Sequence, residues 1–348
     1  MRSVQAAMSS LVERLWYGSK RPLVFLAPLS WLYRSITEGR RRAAWEARDV
    51  SLPVPVIVVG NITAGGTGKS PLTAWLVAEL ATAGWRPVIL SRGYGGNSGK
   101  YPLEVTAATS PDEAGDEPVM LALGTGCPVV VDPQRRRAAD YALKNDLGNL
   151  LICDDGLQHY KLPRDLELSV FDGQRGIGNG ALIPVGPLRE PVSRLSSVDF
   201  VIVNGKDLSE QPLESFVGIE HPDIYSMVLE PATLVQLKTG AFRSVEDLKG
   251  KRVRAVAGIG NPVRFFDTLR VLGAVVTEAA FPDHHRFRPE DLEADEEELI
   301  VMTAKDAVKC QQFAPENAWS LVVEARLPDQ FREAFLARVR QCSEPLTS

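Results

Sequence analysis

Cysteine is scarce in this sequence: 348 residues contain four, Cys127, Cys153, Cys310 and Cys342, and no two form a C-x-x-C pair. That spacing suggests neither a zinc knuckle nor a disulfide framework, and it fits a reducing cytoplasm. Long apolar runs are missing too. The longest, Pro22 to Tyr33, reads PLVFLAPLSWLY, about half of the ~20 residues a spanning helix needs. The start of the chain lacks the basic, apolar and small-residue order of a secretory leader, so none is expected. Nor is there a basic surplus: 39 Lys and Arg against 44 Asp and Glu give a net charge of −5, which argues against a general nucleic-acid binder. With 45% apolar and 24% charged residues the chain is neither low-complexity nor polytopic.

A globular protein of about two domains remains, at roughly 150 residues each. Its charge is uneven, because residues 1–50 carry nine Lys and Arg against four Asp and Glu. Val4, Met8, Leu11 and Leu15 recur at helical spacing there, and Trp16, Tyr17, Trp31, Tyr33 and Trp45 are interleaved with Lys20, Arg21, Arg34 and the run Arg40-Arg41-Arg42. Aromatic rings and basic groups mixed in this way suit a membrane interface with anionic lipid. A helical pair packed on the rest of the protein would read the same way, so the segment alone leaves both open.

From Val54 the pattern alternates apolar runs with helical stretches. Val54–Val59, Val88–Leu90, Pro128–Val131, Leu150–Cys153, Leu166–Phe171 and Phe200–Val203 are expected strands, and a helix is expected from Ser70 to about Gly84. Such a rhythm implies a parallel sheet. It resumes with strands at Arg252–Ile259, Ala274–Ala280, Leu299–Met302 and Leu321–Glu324, and helices at Pro262–Leu272 and Lys305–Gln311. The acidic run Glu290–Glu298 reads as a solvated helix face. The expected fold is α/β: a P-loop NTPase-like parallel sheet core over residues 46–215, a smaller C-terminal α/β lobe over 216–348, and an N-terminal membrane-associated helical segment over 1–45.

Between the first strand and the first helix runs Gly60-Asn61-Ile62-Thr63-Ala64-Gly65-Gly66-Thr67-Gly68-Lys69-Ser70. Glycines let backbone N–H groups curl around phosphate, the helix N-terminus adds positive potential, Lys69 can reach the outer phosphates of ATP, and Ser70 can ligate Mg2+. The usual first glycine of such a loop is Thr63 here. A partner acid is expected at the end of another buried strand, and Leu150-Leu151-Ile152-Cys153-Asp154-Asp155 supplies two, either of which could order the metal. AGGTGKS also resembles the loop of partitioning and metallochaperone ATPases, whose signature lysine is Ala64 here. A P-loop ATPase switch of that type is the alternative to a kinase.

A kinase needs an acceptor site and a base, and further motifs accompany the loop: Ser91-Arg92-Gly93-Tyr94-Gly95, Gly115-Asp116-Glu117-Pro118, Asp154-Asp155-Gly156-Leu157-Gln158-His159, Gly186-Pro187-Leu188-Arg189-Glu190-Pro191, Ala257-Gly258-Ile259-Gly260-Asn261-Pro262 and Phe281-Pro282-Asp283-His284-His285. In this order, from about residue 15 to 310, the chain closely resembles the tetraacyldisaccharide 4′-kinase family. The resemblance implies ATP- and Mg2+-dependent phosphorylation of the 4′-hydroxyl of a tetraacylated glucosamine disaccharide 1-phosphate, giving lipid IVA in lipid A biosynthesis. It implies an acylated disaccharide 1-phosphate lipid as substrate, an anionic membrane surface as partner and no nucleic acid. It also implies peripheral or monotopic attachment to the cytoplasmic face of the bacterial inner membrane.

The resemblance further implies roles for single residues. Asp116 is the expected base for the 4′-hydroxyl, with His284 tuning or relaying its proton; a carboxylate and a histidine can share a proton near neutral pH. Taken alone, Asp116-Glu117 would read as an acidic helix N-terminus. Lys69, Arg189 and Arg135 are the expected cations near the phosphates, and which of Arg135, Arg136 and Arg137 contacts phosphate stays open. Gly65, Gly66, Thr67, Gly68, Lys69, Ser70 and Gln158 are expected at the nucleotide, and Ser70, Asp154, Asp155 and Glu117 at the metal. Ala304 departs from the family pattern as we read it, which has an acidic residue there.

Overall fold

The computed structural model describes residues 12, 14–18, 24–46, 51–205, 212–295 and 297–343. Val4, Met8, Leu11, Lys20, Arg21 and Pro22, and the side chain of Trp45, lie outside the described residues. In chain order the elements are α1 (Ala27–Glu46), β1 (Val56–Gly60), α2 (Lys69–Thr82), β2 (Pro87–Ser91), β3 (Leu103–Glu104), α3 (Pro111–Ala114), α4 (Asp116–Thr125), β4 (Val129–Val131), α5 (Arg135–Lys144), β5 (Leu150–Cys153), β6 (Leu166–Asp172) and β7 (Phe200–Asn204). Then follow α6 (Glu214–Val217), β8 (Ile224–Gln236), β9 (Phe242–Arg243), β10 (Arg252–Ala257), α7 (Pro262–Val271), β11 (Val275–Ala280), β12 (Leu299–Thr303), α8 (Ala304–Cys310), β13 (Ala318–Arg326) and α9 (Asp329–Ser343). The fold is thus α/β, with parallel and antiparallel strand pairs.

The chain forms two compact units that are discontinuous in sequence. One comprises residues 1–92, 132–228 and 326–348; the other comprises 93–131 and 229–325. The sequence-based boundary at 215 cuts a continuous chain, whereas compactness assigns the short stretch 93–131 to the second unit.

In the first unit the strand order is β8-β7-β6-β1-β5-β2, parallel throughout. Strands β1, β2, β5, β6 and β7 are buried along their whole length, which is why they read as continuous apolar runs rather than alternating ones. Val58 pairs with Cys153, so β1 and β5 end side by side at their carboxyl edge, the edge where parallel α/β sheets bind ligands. The C-terminal helix α9 closes this unit with Phe331 and Phe335, both fully buried. Phe331 sits 5.5 Å from Trp75, 5.4 Å from Phe200 and 5.3 Å from Tyr225, centroid to centroid.

The second unit has its own parallel set, β11-β10-β12-β13, around a core of Val253, Ala255, Phe266, Leu269 and Val301. Strands β3 and β4 pair antiparallel, as do β9 and the later part of β8. Strand β8 was not expected from sequence, and Glu230 and Pro231 inside it explain why. The acidic run Glu290–Glu298 is corrected: it is no helix face. A single 3-10 turn, Pro289–Leu292, begins it, and Glu298 is buried. Asp291 Oδ2 accepts the Arg288 N–H at 3.0 Å and lies 2.9 Å from His285 Nε2, so its carboxylate is a local brace.

Truncating Phe331 to Ala removes a fully buried ring whose neighbours sit on three other elements, and such truncations cost about 3–5 kcal/mol. The urea midpoint of Phe331→Ala is expected well below wild type, with Phe331→Leu between them; equal midpoints would mean that α9 is not part of the core.

Candidate functional site

The loop after β1 is shaped by backbone that only glycine tolerates well. Gly68 caps α2 with φ +96°, and a Cβ there would lie 2.5 Å from Asn204 Nδ2. Asn204, buried at the end of β7, donates that same amide to Thr67 O at 3.0 Å. Thr67 Oγ1 is buried and makes no hydrogen bond. The loop is also tied from its other side, since Ala64 N donates to Pro187 O at 2.8 Å and Arg189 N to Ile62 O at 2.7 Å.

Lys69 and Ser70 open α2 beneath this loop. Lys69 Nζ lies 3.3 Å from Asp155 Oδ1 and 3.4 Å from Asn61 Oδ1. Arg189 approaches Asp155 Oδ1 at 3.6 Å. Burial pushes the Asp155 carboxyl up, but Lys69 and Arg189 outweigh it and hold the group below the usual carboxylate range. Its Oδ1 takes no hydrogen bond beyond these ion-pair contacts, an acceptor left over beside a phosphate loop. Asp154 points elsewhere: it is buried, and its Oδ1 accepts from Thr73 Oγ1 at 3.0 Å. The two acids left open by the sequence are therefore separated, Asp155 at Lys69 and Asp154 against α2. Among the described residues no three His, Cys, Asp or Glu converge as a metal cage.

Gln158 Nε2 donates to Asn61 O at 3.0 Å and to Glu190 Oε1 at 2.7 Å, so it braces the loop's first turn. Glu190 also accepts from Tyr160, and lies 3.4 Å from Arg194 Nε. Of the three arginines, Arg135 turns inward and is 2% exposed, donating Nη1 to Asp132 O at 2.9 Å while its Nε and Nη2 make no hydrogen bond. Arg136 and Arg137 face outward on Asp140 and Asp132. Burial, reinforced by the charges of Arg135 and Arg92, lowers the pKa of His159 to about 4, which keeps that ring neutral at physiological pH.

The second unit holds the other group of expected residues. Gly115, at φ +93°, lets α4 start with Asp116 while a Cβ there would meet Tyr94 O at 2.6 Å. Asp116 is buried; its Oδ1 accepts the Glu117 N–H at 2.9 Å and its Oδ2 lies 3.0 Å from His284 Nδ1. His284 sits at φ +58°, a conformation uncommon for a side-chain-bearing residue, and the Tyr94 ring is 5.2 Å away. Lys305 Nζ is 3.3 Å from both Glu117 and Asp283 and 3.5 Å from His284 Nε2. Lys309 Nζ is 3.9 Å from Asp116 and 2.7 Å from the buried Asp306. Glu117, expected at the metal, thus belongs to this unit and meets a lysine.

Burial pushes Asp116 up, yet the His284 hydrogen bond and the charges of Lys305, His284 and Lys309 leave it below its ordinary value. The Asp116 hydrogen bond raises His284, against burial and Lys305. The pair is accordingly a carboxylate facing a histidine that keeps its proton above its usual pH. Sequence reading passed over Lys305 and Lys309, although their i, i+4 spacing puts them on one face of α8. It gave no role to Asn61 and Glu190, though both stand inside quoted motifs, and passed over Asn204.

The chain is similar in sequence and fold to known proteins. A family model described as tetraacyldisaccharide-1-P 4′-kinase, LpxK, matches residues 22–340. The tetraacyldisaccharide 4′-kinase of Hahella chejuensis is 44% identical over 341 residues, covering 96% of this chain and 98% of that protein. That of Methylobacillus flagellatus is 45% identical over 343 residues, covering 97% and 98%. The crystal structure of LpxK from Aquifex aeolicus, an "apo" form in complex with ATP, superposes with a TM-score of 0.79 at 29% identity, covering 92% of this chain and 99% of that one.

The His284 shift has a checkable sign. Its folded pKa lies above 6.5, so the stabilisation it gives is complete below 6.5 and is lost as pH rises through the folded value. In NMR titrations the His284 pKa is expected to fall in Asp116→Asn relative to the wild type, because the carboxylate that raises it most is gone while burial and Lys305, which lower it, remain. An unchanged titration would mean that the two side chains are not paired.

Proposed function

Because this chain belongs to the tetraacyldisaccharide-1-P 4′-kinase family, whose model spans residues 22–340, we infer that it transfers the γ-phosphoryl group of ATP to the 4′-hydroxyl of an acylated disaccharide 1-phosphate, a step of lipid A biosynthesis. The observation that carries the reading is the Lys69–Asp155 pair, 3.3 Å apart at the end of a glycine loop between a buried strand and a helix. The transferred phosphorus forms a bond to the 4′-oxygen as its bond to the bridging oxygen of ADP breaks. The 4′-hydroxyl proton must leave, and this chain's residues receive it.

Phosphoryl transfer asks the protein for position and charge more than for covalent chemistry. Lys69 and the loop amides hold the β- and γ-phosphates, Arg189 and Arg135 add cationic charge beside them, and Gln158 fixes the loop's opening turn. Mg2+, when bound, would supply charge neutralisation at the transferring phosphoryl group. Ser70 and Asp155 are the residues that would hold it, and the acceptor left over on Asp155 Oδ1 fits an ion that takes few protein ligands and the rest from phosphate and water. Asp154 is buried beside Asp155 and accepts from Thr73 through Oδ1.

Asp116 takes the hydroxyl proton, and His284 tunes or relays it. Its depressed pKa makes Asp116 a weak base but keeps it ionised, which suits a loose transition state in which the hydroxyl surrenders its proton late. Glu117 and Lys305 hold the pair in place.

We assign the membrane-facing role to the N-terminal segment. On α1 and just before it, Phe25, Leu29, Leu32 and Ile36 follow helical spacing and are 75%, 52%, 52% and 45% exposed, and Trp31 beside them is 71% exposed. Arg40 and Arg42 are exposed one turn on. No helix among the described residues is long and apolar enough to cross a membrane. An apolar stripe with a basic end supports peripheral attachment to an anionic leaflet.

Two experiments test these roles. With γ-labelled ATP, Mg2+ and detergent-dispersed tetraacyldisaccharide 1-phosphate, label moves to the lipid; release of inorganic phosphate alone would favour the ATPase switch. Lys69→Ala is expected to lose nearly all transfer with unchanged circular dichroism. Asp116→Ala lowers kcat far more than it raises the KM for ATP, His284→Ala less so, and the double variant is non-additive if they handle one proton. Secondly, replacing Arg40, Arg41 and Arg42 by Gln weakens sedimentation with anionic liposomes at low salt, each basic group being worth about 1 kcal/mol there. Binding equal to wild type would return α1 to a packed helix.

A further inference from the structure

The segment Arg14–Gly18 touches the nucleotide loop directly. Tyr17 OH donates to Ala64 O at 3.1 Å, and Ala64 N already donates to Pro187 O, so both sides of this loop residue's hydrogen bonding are fixed. The Arg175 guanidinium lies 5.3 Å from the Tyr17 ring centroid. A Cβ on Gly65 would come within 3.4 Å of Arg175 Nη1, so this arginine flanks the loop's outer turn. Arg175 itself is placed by the turn after β6, where Asp172 Oδ1 accepts its N–H at 3.2 Å.

The segment is fixed at further points. Trp16 Nε1 donates to Pro184 O at 3.2 Å, Asn179 N donates to Trp16 O at 2.8 Å, and Asn179 Nδ2 to Leu15 O at 3.3 Å. Ser30 of α1 donates to Leu182 O at 2.8 Å. The stretch 179–188 is also the one that binds the loop through Pro187 O and the Thr63–Leu188 bridge. A phosphate loop works by holding its N–H groups inward, which leaves its carbonyls to be held from outside. Here the N-terminal segment supplies one of those holds.

We propose that Tyr17 and Arg175 are positioning residues for the phosphate loop, so that Arg14–Gly18 is a working part of the nucleotide site and not only a neighbour of the lipid. This rests on the reading of Gly60–Ser70 as the ATP site. Tyr17→Phe keeps the ring and its cation contact and removes one hydrogen bond. One such bond is worth about a two- to tenfold change. The KM for ATP therefore rises by about that factor in Tyr17→Phe, with kcat and the KM for the lipid within about twofold of wild type. Arg175→Ala raises the KM for ATP at least as much, Arg175→Lys recovers part of it, and Tyr17→Phe with Arg175→Ala is less than additive.

The full-length chain serves for all variants, with binding of a fluorescent ATP analogue measured alongside turnover. A KM for ATP that stays at the wild-type value in Tyr17→Phe and Arg175→Ala while the KM for lipid rises would overturn the proposal and leave the segment as a lipid contact. Undiminished binding of the analogue by Lys69→Ala is a separate result: it would remove the ATP-site reading itself, and this proposal with it.

Discussion

Charge compensation at the carboxyl edge of the first sheet governs what the rest of this protein can do. A lysine delivered to the start of α2 is 12% exposed and needs a counter-charge, and Asp155, in the turn that follows β5, provides it at 3.3 Å. Asp155 in turn is kept ionised by Lys69 and Arg189 against its own burial. Removing Asp155 leaves a largely buried lysine without its nearest carboxylate, whereas Asp155, 40% exposed, keeps access to water when Lys69 is lost. The parallel pairing of β1 and β5 is what sets the two groups side by side, so fold and charge depend on the same register.

The second unit solves a similar problem with more cations. Asp116 is 5% exposed and faces His284, Lys309 and, through its charge, Lys305. Loss of His284 would still leave two lysines near the carboxylate, whereas loss of Asp116 would leave those cations and the histidine facing one another. The pair is therefore asymmetric: the acid is the member whose absence disturbs its surroundings more. Asp306 extends the arrangement, accepting the Gly258 N–H at 2.9 Å and the Thr303 hydroxyl at 2.7 Å while it pairs with Lys309. The Gly258-Ile259-Gly260 turn and the Lys305-Asp306 motif thereby belong to one support beneath the Asp116–His284 pair.

Much of this was legible in the sequence where the signal is local. Buried parallel strands announce themselves as apolar runs, and the glycine loop announces itself between a strand and a helix. The family resemblance named Asp116 and His284, and the structure brings them to 3.0 Å despite 168 residues of separation. Other features have no local signal. Arg135 is buried while Arg136 and Arg137 pair outward with Asp140 and Asp132, a tertiary fact that a run of three arginines cannot encode. Glu230 and Pro231 hide β8, and the acidic run 290–298 imitates a helix that Asp291 replaces by a brace. The second unit draws in residues 93–131 through contacts far apart in sequence, which no periodicity reports.

The same distinction bears on how the N-terminal segment is understood. Its composition leaves a headgroup layer and a packed helical pair both open, since interleaved aromatic and basic residues suit either. Yet the hydroxyl of one of those aromatics holds a carbonyl of the phosphate loop, and an arginine lies over its ring. An amphipathic ring can serve both purposes at once, because its face and its polar tip make separate contacts. Residues 14–18 and the loop are joined by ordinary packing: whatever orders Tyr17 also orders Ala64. No long-range transmission is needed, because the two groups are 3.1 Å apart.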